Sequence, residues 1–308
     1  SDVTSLKSGR KNLIINGGFD VWQRGTSFSG LSTYSYFADR WQCAISTTCS
    51  RSTDTPTDEG FNYSAKLEAG SGGNILRMML EDSYRLLGSN SFTFSFWIKG
   101  SVASTGGMDV GDQQSKTFSI STSWTKITQS FTAINTSAHG GTANDYFDIT
   151  SSVAGDFYIT GVQLEVGDTA TDFEHRSYGE ELALCQRYFY STMYLRSANS
   201  LTAPTNNAHQ IQGTRHKFAD ITGYRSQDVM HPVRMRTPPS IVFYNHNNSG
   251  VSGQWQLYSE TGASQNFAGF TTDARETSFI FAGYTGVSVG TSGNSCVSFV
   301  HWTADAEL

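Results

Sequence analysis

The sequence has no excess of positive charge and no long apolar segment. Its 308 residues include 21 Lys and Arg against 27 Asp and Glu, which gives a formal net charge of −6. Proteins that bind the phosphate backbone of nucleic acids need a basic face, so this balance argues against that class. Apolar runs such as 13–15 and 278–282 are far shorter than the roughly 20 residues that cross a bilayer. We therefore expect no nucleic-acid partner, and neither membrane insertion nor an N-terminal signal sequence.

Cysteine is scarce, and its spacing excludes the common metal motifs. The four residues Cys43, Cys49, Cys185 and Cys296 form no CxxC pair and no Cys/His cluster with zinc spacing. A chain of this length can bury a sizeable core without covalent staples, which favours buried thiols over a disulfide framework. Cys43 and Cys49 are the one close pair, and they are too far apart along a strand to bridge unless the chain bends between them.

Charged residues and proline are also few, at 16 % and 5 residues, whereas glycine and aromatic residues are plentiful. The chain contains 30 Gly, 20 Phe and 14 Tyr. Together with many Ser, Thr and Asn, this composition favours strands and turns over helices. The length suits two domains of roughly 100 to 200 residues each. The composition therefore predicts an all-β protein with two domains.

Residues 91–99 form the clearest strand pattern in the chain. Phe92, Phe94, Phe96 and Ile98 alternate with hydroxyl residues, Trp97 and Lys99, as expected when one face of a strand is buried. Trp97 then lies on the opposite face, where a sugar ring could stack on it, or where it could pack beneath a loop.

Two further segments carry local predictions. Residues 12–20 predict a short strand that ends at the glycine pair Gly17-Gly18. In 161–190 the pattern changes from period two, over 162–166, to spacings of three and four. Acidic residues at 180 and 181 suit a helix N-terminus, so we predict one short helix over roughly 178–190.

Four motifs carry a resemblance to a known group of proteins. They are NLIINGGFDVWQRGTSF at 12–28, ADRW at 38–41, QLEVGDTATDFEHRSYGEELALCQRYFY at 163–190 and ADAEL at 304–308. These motifs resemble the tail-fibre and head-spike proteins of tailed bacteriophages and of phage-like gene-transfer particles. In that group the first half is similar to the jelly roll of carbohydrate-binding modules. Asp39-Arg40-Trp41 is expected to be structural, because an arginine fork can lock a loop.

The strand patterns and the resemblance together predict a domain organisation, and residues from about 190 to 300 carry little of the resemblance. Residues 1–10 would be a lead or attachment segment, 11–175 a jelly-roll β-sandwich like that of carbohydrate-binding modules, and 176–207 a helix and linker. Residues 208–308 would form a β-sandwich-like domain that carries the receptor-binding surface. The resemblance further implies a homotrimer that is made in the bacterial cytoplasm and assembled with other virion proteins into a tail fibre or head spike.

The same resemblance implies a structural calcium ion. In such modules oxygen ligands lie near the start of the first strand and on the last strand, at positions that match Gly18, Asp20 and Glu165 here. Oxygen ligands suit calcium. Glu165 could equally be an ordinary strand residue.

Aromatic residues near polar loops are the candidates for sugar contact, because flat rings stack on sugars and polar neighbours orient them. In the first domain these are Trp97 and Tyr84. The second domain offers a larger set: Tyr224, Tyr244, Trp255, Tyr258 and Tyr284. For each of them, packing in the core or at a subunit interface is the alternative.

No catalytic motif stands out in the sequence. It contains no GxSxG elbow, no HExxH and no long repeat of the kind that marks a β-helix. With the resemblance, this implies a non-enzymatic adhesin that binds host capsule or lipopolysaccharide with several copies acting together. The alternatives are a polysaccharide-degrading spike enzyme and a purely architectural connector.

Overall fold

The computed structural model describes residues 11–31, 34–44, 48–69, 73–81, 87–88, 90–111, 114–133, 146–193, 209–218, 221–245, 253–259, 264–268, 271–284 and 295–307. Most of these residues lie in strands, and the described ranges contain one α-helix element. The chain divides into two compact units between Leu182 and Ala183. This division falls inside the helix that was expected to connect the two domains.

The first unit is a jelly-roll sandwich of two antiparallel sheets. Its described strands, in chain order, are β1 (Ser27–Ser29), β2 (Ser35–Tyr36), β3 (Trp41–Ala44), β4 (Thr48–Ser52), β5 (Ser64–Ala69), β6 (Ile75–Met79), β7 (Phe92–Gly100), β8 (Ser104–Val110), β9 (Gln114–Ile120), β10 (Thr125–Phe131), β11 (Tyr146–Ser151) and β12 (Gly155–Val166). Sheet A has the order β1-β4-β5-β12-β7-β10, and sheet B has the order β2-β3-β6-β11-β8-β9. The predicted all-β fold with an N-terminal jelly roll is confirmed.

The core lies between the two sheets and is rich in phenylalanine. Phe92, Phe94, Phe96 and Ile98 of β7 are fully buried, as their alternation predicts. Phe94 meets Phe147 of sheet B with ring centroids 4.7 Å apart. Burial of each such side chain contributes about 1.5–3 kcal/mol, so β7 is a main source of the stability of this unit.

The cysteines differ from expectation. Cys43 on β3 and Cys49 on β4 form a disulfide, and because β3 belongs to sheet B and β4 to sheet A, the bond links the two sheets. The two cysteines therefore lie on strands of different sheets, and the spacing along a single strand does not apply to them. Cys185 is a buried thiol outside any disulfide, and the side chain of Cys296 lies outside the described part of the chain.

Replacing Cys43 and Cys49 together with alanine should lower the free energy of unfolding by about 2 kcal/mol, because a short closed loop is lost from the unfolded chain. Urea unfolding of the full chain measures the change. Reduction of the wild type should produce a similar loss, whereas reduction should not alter the double variant. The prediction would be contradicted if the wild type had the same free energy of unfolding in its reduced and its oxidised form.

Residues 11–24 contain no strand, so the strand predicted over 12–20 is wrong. Asn16 and Phe19 have φ values of 58° and 55°, a left-handed conformation that interrupts an extended strand. The segment instead lies along the edge of β12, where the Leu13 amide donates to the Leu164 carbonyl and the Val162 amide to the Gly17 carbonyl, each at 3.0 Å.

Asn16 organises a buried polar network in which two of the four motifs meet. Its side chain donates to the carbonyls of Val21 at 2.8 Å and Asp39 at 3.0 Å. The indole of Trp41 donates to the Asn16 carbonyl at 2.9 Å. The Asp39 carboxylate accepts the Gln23 amide at 2.6 Å. The 12–28 and 38–41 motifs therefore serve the fold, as we expected for Asp39-Arg40-Trp41.

A segment that follows β12, residues 167–177 and here called the strap, lies against the outer face of sheet A. The Thr93 hydroxyl donates to the Gly167 carbonyl at 2.8 Å, and the Glu174 amide donates to Gln163 at 2.9 Å. Thr93 and Gln163 point away from the core but are fully buried. The strap therefore accounts for their burial.

The helix α1 (Tyr178–Gln186) begins where the sequence predicts but ends earlier than residue 190. The Ser177 hydroxyl caps its first turn by accepting the Glu180 amide at 3.3 Å. Phe189, which the sequence pattern places on the helix, begins the strand β13 (Phe189–Ser191). This strand pairs with residues 303–305, so tertiary pairing ends the helical pattern.

The second unit is an antiparallel sheet, which has ten strands within the described residues. Besides β13 these are β14 (His209–Phe218), β15 (Ile221–Ser226), β16 (Val229–Met230), β17 (Ser240–Asn245), β18 (Gln254–Ser259), β19 (Ser264–Ala268), β20 (Thr271–Ala274), β21 (Ser278–Tyr284) and β22 (Ser295–Asp305). The long strand β22 pairs with β14 and β18 along its first part and with β13 and β17 along its second. Its Trp302 packs on Phe279 in a small apolar core.

Candidate functional site

A row of polar side chains crosses the outer face of sheet B. Each of the six strands contributes one residue, and each residue pairs directly with the next: Tyr36, Gln42, Arg77, Asp148, Asp109 and Ser115. Strand alternation explains their direction. On β6, for example, Leu76 and Met78 point into the core, so Arg77 between them points outward.

Arg77 is held at the middle of this row by three neighbours. Its guanidinium carbon lies 3.7 Å from the ring centroid of Tyr34 and 3.5 Å from that of Tyr146. Its Nε and Nη2 donate to the two oxygens of Asp148, each at 2.7 Å. Such a bidentate pair fixes both the position and the plane of the guanidinium. Tyr34, Arg77, Tyr146 and Asp148 are called the stacked cluster below.

The stacked cluster is charged but neutral in sum. Burial alone would lower the pKa of Arg77, but the hydrogen bonds to Asp148 hold this pKa above its ordinary value. The side chains of Arg77 and Asp148 are 15 % and 9 % exposed, so the pair is shielded from water. Tyr34 is 40 % exposed, so part of its ring faces solvent. The Arg77 guanidinium packed against this ring stabilises its position.

A second carboxylate stands beside the cluster. Asp109 lies directly opposite Asp148 on the neighbouring strand β8 and accepts a short hydrogen bond from the Ser115 hydroxyl. An exposed ring next to carboxylate, amide and hydroxyl groups is the combination that binds sugars, since the ring stacks and the polar groups orient.

The stacked cluster was missed in the sequence, although a signal was present. Arg77 and Asp148 are single charged residues within the otherwise apolar runs ILRMM and YFDI. A lone charge of each sign inside two strong strands is consistent with an outward pair on adjacent strands. Their pairing could not be known before the strand order was.

The structure places Trp97 on the outer face of sheet A, on the other side of the sandwich from the stacked cluster. The indole is half-buried, and its residue pairs with Lys126 on β10 and Thr160 on β12. Tyr84 lies outside the described residues. The role of both in sugar contact stays a prediction.

The aromatic set of the second unit is described mainly by its backbone. Tyr244, on β17, is half-buried. The other four residues lie on strands whose side chains are outside the described part of the chain: Tyr224 on β15, Trp255 and Tyr258 on β18, and Tyr284 on β21. Their grouping into a receptor-binding surface stays a prediction.

The three residues that the resemblance implied for calcium have other partners. Glu165 accepts hydrogen bonds from the amide of Thr171 and from Gln163, both at 2.9 Å. Asp20 accepts from Asn62 at 3.3 Å; burial raises the pKa of its carboxyl. The Gly18 carbonyl accepts from Thr160 at 3.4 Å. Among the described residues no group of three His, Cys, Asp or Glu side chains could hold a metal, and calcium stays a prediction.

No helix in the described ranges is long and apolar enough to span a bilayer.

Neither family models nor curated proteins match the sequence. Solved structures similar in fold cover about half of the chain. One is a putative sugar-binding protein from Bacteroides thetaiotaomicron, with 13 % identity and a TM-score of 0.34 over 51 % of this chain and 100 % of that one.

Two further structures are similar over part of their own length only. The first is the enzymatically active domain of bacteriophage CBA120 tailspike protein 4, with 14 % identity and a TM-score of 0.32 over 50 % of this chain and 21 % of that one. The second holds the CBM22-1 and GH10 modules of Clostridium thermocellum xylanase 10B, with 12 % identity and a TM-score of 0.31 over 51 % and 30 %.

Proposed function

We propose that this protein is a non-enzymatic adhesin of a phage or phage-like particle, and that it binds host capsule or lipopolysaccharide glycan on the outer face of sheet B. The observation that supports this most directly is the stacked cluster. Arg77 is fixed between two tyrosine rings and against Asp148. The exposed ring of Tyr34 is thereby held ready for a sugar, so that little side-chain entropy is lost on binding.

The carboxylates of this face are suited to binding rather than to catalysis. Glycoside hydrolysis uses one carboxylate as nucleophile or base and a second as acid. Asp148 gives both oxygens to Arg77, and Asp109 receives the Ser115 hydroxyl. The half-buried Asp109 carboxylate keeps lone pairs that can accept hydrogen bonds from sugar hydroxyls.

Adhesion by a face of this size needs several copies. One exposed ring with a few polar neighbours binds a sugar weakly, but linked sites raise the effective concentration for each later contact. A homotrimer, attached to other virion proteins in a tail fibre or head spike, would supply that linkage.

Replacing Tyr34 with alanine should weaken binding about 5- to 10-fold, which is the contribution expected of one aromatic contact. We would incubate the purified full chain with a panel of bacterial capsular and lipopolysaccharide glycans, following co-sedimentation and new reducing ends. Tyr178→Ala is the matched control, because Tyr178 is 59 % exposed and lies on α1 instead of sheet B.

Each other outcome points to a different function. Equal binding by Tyr34→Ala and the wild type would remove sheet B as the binding face. New reducing ends would contradict the non-enzymatic proposal and favour a depolymerase. A protein that neither binds nor cleaves any glycan of the panel would favour the architectural connector.

A further inference from the structure

The outer face of sheet A has an open part that the strap does not engage. Rings and lysines alternate there across neighbouring strands: Trp124 precedes β10, Lys99 lies on β7, Tyr158 on β12 and Lys66 on β5. The Lys99 ammonium lies 4.9 Å from the ring centroid of Tyr158 and 5.6 Å from that of Trp124. Trp97 stands on the same face of β7, two residues from Lys99.

Two of the three lysines on this face are already neutralised. Lys99 forms an ion pair with Asp54, and the indole of Trp124 donates to the same carboxylate at 3.0 Å. Lys66 lies 2.5 Å from Glu68 and 3.0 Å from Asp156. Two acids surround Lys66, so the face becomes more negative towards β5.

The third lysine differs. Lys126 is exposed on the edge strand β10 and lies directly opposite Trp97. In the described part of the chain no carboxylate lies within ion-pair distance of it. Residues paired across an antiparallel ladder have Cβ atoms about 4.5–5.5 Å apart, so one small ligand can touch both side chains.

We propose that Trp97 and Lys126 form a second glycan subsite, which takes a sugar residue carrying a carboxylate. The sugar ring stacks on the indole, and its carboxylate pairs with the ammonium of Lys126. Charge decides the ligand class. Of the described lysines on this face, Lys126 alone has no carboxylate partner, whereas Lys66 and Lys99 are paired with acids. The subsite is independent of the stacked cluster on sheet B, so either can fail alone.

Uronic-acid polymers and their carboxyl-reduced forms provide the test. Binding of the full chain to polygalacturonate and hyaluronate is compared with binding to the same polymers after their carboxylates are converted to alcohols. Lys126→Gln should weaken binding to at least one acidic polymer about two- to five-fold, the range of an exposed ion pair, and should not affect the reduced form. Lys126→Arg should keep the affinity, and salt should weaken binding by the wild type but not by Lys126→Gln.

The Trp97→Ala variant tests the contribution of the indole ring, and circular dichroism checks that the variant is folded. This substitution should weaken binding to the acidic and to the carboxyl-reduced polymer. Tyr34→Ala should leave this preference for the acidic form unchanged. The proposal is overturned if neither acidic polymer binds, if the reduced polymer binds as well as the acidic one, or if Lys126→Gln binds like the wild type. Lys126 would then be an edge-strand lysine that only protects β10 from pairing with other chains.

Discussion

Replacing Arg176 with methionine should lower the free energy of unfolding by about 3–5 kcal/mol, the loss expected when one partner of a buried ion pair is removed. The Arg176 side chain is 5 % exposed and lies 2.9 Å from Glu174 and 3.4 Å from Glu181. It also donates to the Ile14 carbonyl at 3.0 Å and to that of Asn12. Its removal leaves two acids and two carbonyls without their shared donor.

The loss should depend on pH. Burial raises the pKa of Glu181, although the Asn16 amide and Arg176 lower it. A carboxyl whose folded pKa is raised favours the folded state as pH falls and loses that contribution as pH rises. Without Arg176 the pKa of Glu181 rises further, so the variant should lose less stability at about pH 5 than at about pH 8.

Urea unfolding of the full chain at the two pH values measures these differences. Arg234→Met is the matched control: the Arg234 side chain is 74 % exposed and pairs with Glu276, so the change should cost less than about 1 kcal/mol. A loss for Arg176→Met no larger than that of the control, or one that does not change with pH, would contradict the assigned network.

Strand alternation allowed much of the first unit to be predicted. The pattern at 91–99 marks the buried face of β7 because four large apolar residues in alternation have one stable orientation in a sandwich. The helix end at Gln186 and the absence of a strand at 12–20 were not predictable in the same way. Each depends on partners more than 100 residues away, on β22 and on β12, and local propensity does not contain such pairing.

The binding faces were less predictable than the fold. The alternation over 91–99 places Trp97 on the polar face of its strand, among hydroxyl residues, and a single sequence segment is enough to show this. The stacked cluster draws on three separate segments, around 34, 77 and 146–148. Glu165, which the resemblance implied as a metal ligand, accepts hydrogen bonds from the strap, because residues 167–177 fold back onto sheet A.

Replacing Trp41 with alanine should also lower the free energy of unfolding by about 3–5 kcal/mol, as is typical of a large ring removed from a core. Trp41 is fully buried. Its ring stacks on Phe19 at 4.9 Å between centroids and meets Phe147 edge-on at 5.7 Å. The substitution therefore removes contacts to sheet B and to the N-terminal segment at once.

Trp41→Phe separates the indole hydrogen bond from the packing. Phenylalanine keeps an aromatic ring but cannot donate to the Asn16 carbonyl, which the indole does at 2.9 Å, so the loss should be about 1–2 kcal/mol. Tyr178→Ala, at an exposed helical position, should change stability by no more than about 0.5 kcal/mol. Equal losses for Trp41→Phe and Trp41→Ala would mean that the hydrogen bond to Asn16, and not the stacked rings, gives the ADRW motif its role in the fold. From the geometry, we expect a much larger loss of stability for Trp41→Ala than for Trp41→Phe. In Trp41→Phe the Asn16 carbonyl still accepts the Phe19 amide, whereas in Trp41→Ala nothing fills the cavity left by the indole.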